Sequence, residues 1–262
     1  MPPMLPKTKI AGYEFSRLMC GSNPLNGFSH MSPGRDRWLD QYFTVDRIVE
    51  LFEACVQHGI NGLLGSYTDK LAAAMAKFWG RNPKDSFYWV AYTHGGLEML
   101  RESIKMIADA GAIGCYVQGG ATFSLLRQDE RRIERLEELN AFIREQGMFP
   151  GIGTHEPAAI EIAEERGYDA EFYVMSINCL DTFSFWGHHE HTGRIVRDTT
   201  KPVIAIKTLG AGRVEPERGF QYAFAAMKPG DLISVGLLSG EEAEFDVAVA
   251  CRVLQKLGQL SG

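Results

Sequence analysis

Short runs of apolar residues alternate with longer amphipathic stretches along the whole chain. The short runs have the length and composition of β-strands, and residues 203–206 are apolar at every position, which is typical of a strand buried on both faces of a parallel sheet. Eight strands are predicted in this way, at residues 17–21, 60–65, 87–93, 113–118, 149–153, 171–177, 203–207 and 232–236.

The longer stretches carry apolar residues at helical spacing. Residues 45–57 and residues 130–145 are two examples, each with an apolar stripe that can cover a pair of strands. The stripes consist of Ile48, Leu51, Phe52 and Cys55 in the first helix and of Ile133, Leu136, Leu139 and Ile143 in the second. Glycines at positions 59, 111, 147 and 167 mark the ends of predicted helices, as is usual where a helix turns into the next strand.

Eight strand-then-helix units predict an α/β fold in which a parallel sheet closes into a single (β/α)8 TIM barrel. The alternative is an open doubly wound sheet, but no Gly-x-Gly-x-x-Gly follows a predicted strand. A chain of 262 residues suits one barrel, so residues 1–262 are expected to form one domain.

Composition and charge narrow the classes of partner. The net charge of −6 leaves no basic surface of the kind that nucleic acid or an anionic membrane attracts. Neither an 18-residue apolar stretch nor the apolar core of a signal peptide is present, so we expect a cytoplasmic protein that does not enter a membrane. The five cysteines are odd in number and widely spaced, which predicts free thiols.

Four segments resemble the aldo-keto reductases. Residues 10–21, IAGYEFSRLMCG, are similar to the N-terminal hairpin and first strand of that family, and residues 58–61, HGIN, resemble the segment before its second strand. Residues 151–157, GIGTHEP, and 235–241, VGLLSGE, resemble its fifth and eighth strands. The resemblance spans nearly the whole chain in register, and it implies a TIM barrel whose floor is closed by an N-terminal β-hairpin.

The family's catalytic residues are not matched. It uses an Asp and a Tyr after strand two, a Lys at strand three and a His at strand four. Here the strand-two segment offers only Tyr67 as a loose substitute, strand three leads to His94 without the Lys, and strand four leads to Gln118 without the His. Acidic residues also stand where the family holds the 2′-phosphate of NADP, which disfavours NADP and leaves NAD open. These residues are Glu241, Glu242 and Glu244.

A closer resemblance is to a group of uncharacterised bacterial aldo-keto-reductase-like proteins that lack the catalytic tetrad. The shared segments are residues 21–30 (GSNPLNGFSH), 153–157 (GTHEP) and 201–213 (KPVIAIKTLGAGR). This resemblance implies a fold and no particular mechanism.

In a barrel enzyme the active site gathers at the carboxyl ends of the strands. His94 and His155 follow strands three and five, so we expect them to converge as a catalytic acid–base pair or as ligands of a divalent metal such as Zn, Mn or Fe. Glu156 is a candidate third ligand, and Tyr67 is a candidate proton donor. The simpler interpretation is that each histidine caps its strand by hydrogen bonding.

Lys207 ends an apolar strand at the mouth of the barrel. We predict that it holds a substrate oxyanion, while a Schiff-base or proton-transfer role stays open. Further candidates to bind substrate are Asn23, His30, Gln118, Asn178, Trp186 and Arg213. Glycine turns after strands seven and eight often cradle phosphate, which makes Gly210, Gly212, Gly236 and Ser239 candidate cofactor-binding residues.

Two loops are long enough to cover the mouth. Residues 186–191, WGHHEH, place His188, His189 and His191 in a segment expected to be extended; it could bind a metal or close over substrate, or it could be an exposed loop without a function. The first loop, residues 22–43, carries Phe28, Trp38, Tyr42 and Phe43, which could stack on substrate or contact another copy of the chain in a homo-oligomer.

The favoured function is a small-molecule enzyme of the lyase, isomerase or hydrolase type, using polar or metal-assisted chemistry. Its expected substrate is a hydroxylated and sometimes phosphorylated carbonyl compound bound at the carboxyl ends of the strands. One alternative is an NAD(P)H-dependent aldo-keto reductase with a rearranged site. The other is a non-catalytic barrel that binds a ligand.

Overall fold

The computed structural model describes residues 5–180 and 189–260, with the side chains of 189 and 190 left out. Eight parallel strands of this part of the chain close into a barrel. In chain order they are β1 (Leu18–Gly21), β2 (Gly62–Ser66), β3 (Tyr88–Tyr92), β4 (Gly114–Val117), β5 (Phe149–Thr154), β6 (Phe172–Ser176), β7 (Val203–Ile206) and β8 (Leu232–Gly236). Each strand pairs with its neighbours in the chain, and β8 pairs with β1 to close the ring, with Ile233 opposite Leu18.

Helices lie outside the strands. They are α1 (Pro33–Tyr42), α2 (Val45–Gln57), α3 (Asp69–Trp79), α4 (Leu100–Asp109), α5 (Gly119–Leu125), α6 (Leu136–Glu145), α7 (Pro157–Arg166), α8 (His189–Asp198), α9 (Pro216–Ala226) and α10 (Gly240–Lys256). The predicted TIM-barrel fold is confirmed, and the predicted bounds of α2 agree with the structure.

The N-terminal hairpin also agrees with the prediction. Residues Lys7–Ile10 pair with Tyr13–Ser16 in antiparallel register. Phe15 is fully buried, and its ring meets the ring of Tyr88, the first residue of β3, at 5.4 Å between centroids. It also meets Phe149, the first residue of β5. Because these contacts are made at the amino ends of the strands, the hairpin closes the floor of the barrel and leaves the opposite end for chemistry.

Three segments differ from the sequence-based expectation. Residues 126–133 form a small antiparallel hairpin, so the helix predicted over 130–145 begins only at Leu136. The backbone N–H of Ile133 donates to the hydroxyl of Tyr168, which is a tertiary bond that competes with helix formation. The first loop contains α1, which Ser32 caps by accepting from the N–H of Arg35. His189 and His191 lie on α8, not in an extended segment.

The remaining global properties are simple. None of the helices in the described ranges combines the length and apolar content that a membrane span requires. All five cysteines are free thiols.

Candidate functional site

A layer of hydroxyl groups lies at the carboxyl end of the barrel lumen. Side chains alternate between the lumen and the helices along each strand, and the last inward positions of β2, β3 and β6 are Ser66, Tyr92 and Ser176. The hydroxyl of Tyr92 hydrogen-bonds with those of Ser66 and Ser22, and burial raises its pKa. The lumen beneath this layer is filled by apolar side chains, so the polar chemistry is confined to the open end, which we call the mouth.

His155 stands beside this layer, directly after β5. Its Nδ1 lies 2.7 Å from the hydroxyl oxygen of Ser176. A Cβ added to Gly119 would lie 3.3 Å from the His155 ring, so the imidazole packs against the start of α5. Burial, together with the charges of Lys207 and His30, lowers the pKa of His155 to about 4. The imidazole is therefore neutral near pH 7 and can accept a proton.

Lys207 follows β7 with a backbone φ of +59°, in the left-handed region. Ile204 and Ile206 face the lumen and Ala205 faces the helices, so strict alternation would direct residue 207 outward. The left-handed backbone breaks that alternation, and the charge of Lys207 reaches both His155 and His30. Desolvation lowers the pKa of Lys207, which fits an amine held partly away from water.

His30 and Arg213 complete this side of the mouth. Nε2 of His30 lies 3.0 Å from Nδ2 of Asn23. The Arg213 guanidinium donates to the carbonyl of His30 at 3.1 Å and to the carbonyl of Gly210 at 2.9 Å. Desolvation is the largest cause lowering the pKa of His30, and the charges of Lys207 and Arg213 add to it, whereas Asp36 opposes it. We call His30, His155, Lys207 and Arg213 the basic cluster.

The loop that carries Lys207 and Arg213 has a strained backbone. Lys207, Gly210, Ala211 and Gly212 have φ values of +59°, +55°, +56° and +81°. Two of these residues are not glycine, and left-handed backbone costs such residues about 1–2 kcal/mol each. A Cβ on Gly210 would also lie only 2.5 Å from Leu180. Strain of this kind concentrates at functional sites, because the surrounding structure must maintain it.

His94 belongs to a separate group of side chains. Its Nδ1 lies 2.8 Å from the hydroxyl of Ser103 on α4, and its backbone N–H donates to the same oxygen. The ring stacks on that of Tyr67 with 5.6 Å between centroids, and the Tyr67 hydroxyl donates to Asp69. Desolvation alone lowers the pKa of His94, whereas the charges acting on His155 come from the basic cluster.

The predicted metal ligands are not brought together. His94 is directed to α4 and His155 to β6, while Glu156 caps α7 by accepting from the N–H of Ala158 at 3.5 Å. Over residues 5–180 and 191–260, no three His, Cys, Asp or Glu side chains are grouped so as to hold a metal ion. Metal binding by these residues stays a prediction from the sequence.

Two predicted substrate ligands shape loops at the mouth. The side-chain oxygen of Gln118 accepts from the N–H groups of Gly120 and Ala121 at the start of α5. Asn178 is fully buried, and its side-chain oxygen accepts from the N–H of Leu180. Both residues border the mouth, and their contact with substrate stays a prediction.

The turn after β8 does not fit a dinucleotide phosphate. Ser239 accepts from the N–H of Glu242, and the carboxylate of Glu242 accepts from the N–H of Leu238, so this helix start is capped by the chain's own acidic side chain. A Cβ on Gly236 would lie 2.8 Å from Pro24, so this glycine allows close packing of the first loop. In the turn after β7, a Cβ on Gly212 would meet open space.

The histidine-rich segment is only partly described. Trp186 and His188 lie outside the described residues. His189 begins α8, and Nδ1 of His191 lies 3.0 Å from the guanidinium of Arg194 on the same helix.

Three residues at the mouth were missed by the sequence analysis. Tyr92 and Ser176 are inward-facing ends of their strands, a position that strand alternation could have identified. Asn26 donates to Ser66 and accepts from Thr68, which anchors the first loop to the turn after β2. No local pattern marks Asn26, because its partners lie 40 and 42 residues away in the chain.

No protein-family model and no curated protein matches the chain. Solved structures do resemble it. A provisional aldo-keto reductase from Pseudomonas aeruginosa has a TM-score of 0.69 over 96% of this chain and 97% of its own, at 13% identity. The glycerol dehydrogenase of Gluconobacter oxydans has a TM-score of 0.57 over 95% of each chain, at 10% identity. A truncated 3-deoxy-D-arabino-heptulosonate 7-phosphate synthase from Thermotoga maritima has 0.62 over 97% of this chain and 94% of its own, at 11% identity.

Identities this low show the fold alone. The chain therefore has an aldo-keto-reductase-like TIM-barrel fold, and its neighbours include both redox and non-redox enzymes. The chemistry has to be argued from the mouth.

Proposed function

We propose that this protein is a small-molecule enzyme that performs non-redox chemistry on a carbonyl compound bound at the mouth of the barrel. The observation that carries this proposal is the convergence of His155, Lys207, His30 and Arg213, which come from three different loops. One neutral imidazole beside cationic groups is suited to removing a proton next to a carbonyl whose oxygen becomes negatively charged.

Each residue has a role in this proposal. His155, whose ring is oriented by Ser176, acts as the acid–base group. Lys207 lies at the carbonyl group of the substrate, and Arg213 and His30 bind a carboxylate or phosphate that the substrate carries. Tyr92, hydrogen-bonded to Ser22 and Ser66, forms the polar base of the site. Reactions of this class include isomerisation, elimination and aldol cleavage.

The experiment follows hydrogen exchange, which all of these reactions share. The enzyme is incubated in D2O with pyruvate, dihydroxyacetone, dihydroxyacetone phosphate or glyceraldehyde 3-phosphate, and proton NMR records the loss of signals next to the carbonyl. We expect exchange of at least one compound, reduced about 100-fold or more in His155→Gln, because general base catalysis contributes about that much. His94→Gln is the matched control and should retain the rate. Equal rates in enzyme, variant and buffer would remove the proposal.

A nicotinamide-dependent reductase is the second candidate, favoured by the fold shared with the glycerol dehydrogenase. The capped turn after β8 argues against it. Titration of the protein into NADH and NADPH, followed by cofactor fluorescence, decides the question. Quenching at micromolar protein would support the reductase, and an unchanged signal would exclude it. Elemental analysis of untagged protein purified without chelator tests metal binding in the same preparation.

A further inference from the structure

The side-chain amine of Lys207 has an unusual setting for a lysine. Its backbone is left-handed immediately after β7, and the residue is half-buried. The neighbouring inward residues of the strand, Ile204 and Ile206, are apolar. The backbone strain therefore serves to place an amine at the edge of an apolar lumen, where water is scarce and a small organic molecule can reach it.

The neighbours of this amine are cationic or neutral. Arg213 reaches over the loop to the carbonyl of His30, and the charges of Lys207 and Arg213 both act on His30. A lysine beside another cation in a partly dehydrated site holds its proton less strongly, and an unprotonated amine is a nucleophile. The neutral imidazole of His155 lies within range of the same amine and can carry protons during a reaction.

We propose that Lys207 forms an imine with the carbonyl carbon of a small substrate that carries a carboxylate or phosphate group, and that Arg213 and His30 hold this anion. The proposal rests on the proposed function, since it names how Lys207 acts on the carbonyl compound bound at the mouth.

The step is balanced without an oxidant or a reductant. The lone pair of the Lys207 Nζ attacks the carbonyl carbon, so that a C–N bond forms and the carbonyl oxygen becomes a hydroxyl. His155 accepts the proton released from the nitrogen and returns a proton to this hydroxyl, which leaves as water when the C–O bond breaks. The products are a protonated imine and one water molecule, and a proton next to the new C=N bond is then readily removed.

Lys201 is a matched internal control, because it lies just before the same strand at the opposite end of the barrel. Its ammonium lies 3.5 Å from the carboxylate of Glu164 and 5.6 Å from the ring centroid of Tyr173. A carboxylate and an aromatic face both favour the protonated form. Lys201 should therefore react slowly with carbonyl compounds at neutral pH.

The experiment traps the imine with cyanoborohydride on the full-length chain at pH 7. Two probes are used, glyoxylate, which carries a carboxylate, and formaldehyde, which carries no charge. Reduction leaves a stable adduct whose mass equals the probe less one oxygen atom, and peptide mapping measures the rate at each lysine. We expect Lys207 to be modified at least tenfold faster than Lys201 by both probes. Its preference for glyoxylate over formaldehyde should fall several-fold in Arg213→Met.

Three results would overturn the proposal. Modification of Lys207 no faster than that of Lys201 excludes a nucleophilic amine, and an unchanged probe preference in Arg213→Met excludes the anion site. Labelling that persists at the same total rate in Lys207→Arg would assign the reaction to another residue. If glyoxylate shifts the NMR signals of His155 but does not label Lys207, the imine fails while the mouth remains a binding site. If it does neither, the proposed function loses its support as well.

Discussion

Acidification should destabilise this fold through His155. In the folded protein its pKa is lowered to about 4, compared with 6.5 for an ordinary histidine. The folded state therefore holds the neutral ring, while the unfolded chain takes up a proton as the pH falls below 6.5. The stability that His155 provides above that pH is lost as the pH falls from 6.5 towards 4.

The size of the effect follows from the two pKa values. Their difference corresponds to about 3 kcal/mol once the pH lies below both, and about 2 kcal/mol of it is lost between pH 7 and pH 5. In His155→Gln this loss is absent, because glutamine does not titrate, although it can still hydrogen-bond to Ser176. The variant should therefore lose about 2 kcal/mol less stability than the wild type over this interval.

Urea unfolding followed by circular dichroism at pH 7 and pH 5 measures this difference. Other groups titrate in the same range, but they are common to both proteins and cancel in the comparison. His94→Gln serves as a control, and its effect should be smaller because burial alone lowers the pKa of His94. If wild type and His155→Gln lose the same stability, the ring is not held neutral and the acid–base assignment at the mouth falls with it.

Four further outcomes are expected. Gly210→Ala should lower the free energy of unfolding by about 2 kcal/mol more than Gly212→Ala, because both need left-handed backbone but only the first meets Leu180, and equal losses in urea titrations would contradict this. Lys207→Gly should leave stability unchanged or raise it by about 1 kcal/mol through relief of strain, whereas a clear drop in melting temperature would show that the side chain stabilises the fold. Ser239→Ala should cost about 1 kcal/mol through loss of the α10 cap, checked by thermal unfolding against Ser124→Ala as control. Asp246 is buried with its pKa raised to about 7, so the wild type should lose about 2 kcal/mol between pH 5.5 and pH 8.5 that Asp246→Asn does not lose, and parallel pH profiles would refute the burial effect.

Much of the barrel could be predicted from local patterns. Every predicted strand overlaps an observed one, and the floor hairpin lies where its resemblance implied. This succeeds because a strand buried on both faces must be apolar throughout and a helix must carry a stripe, so the signal is contained in neighbouring residues. The helix predicted over 130–145 failed at its start for the opposite reason, since the N–H of Ile133 bonds Tyr168, 35 residues away.

The sequence alone determined which residues stand at the carboxyl ends of the strands, and tertiary structure decided which of them meet. His94 and His155 occupy equivalent positions in the pattern, yet one bonds Ser103 on a helix and the other bonds Ser176 on a strand. His30 reaches the mouth because Arg213, 183 residues later, holds its carbonyl. Side-chain direction depends on such distant hydrogen bonds and on the left-handed backbone at Lys207, and neither leaves a periodic trace in the chain.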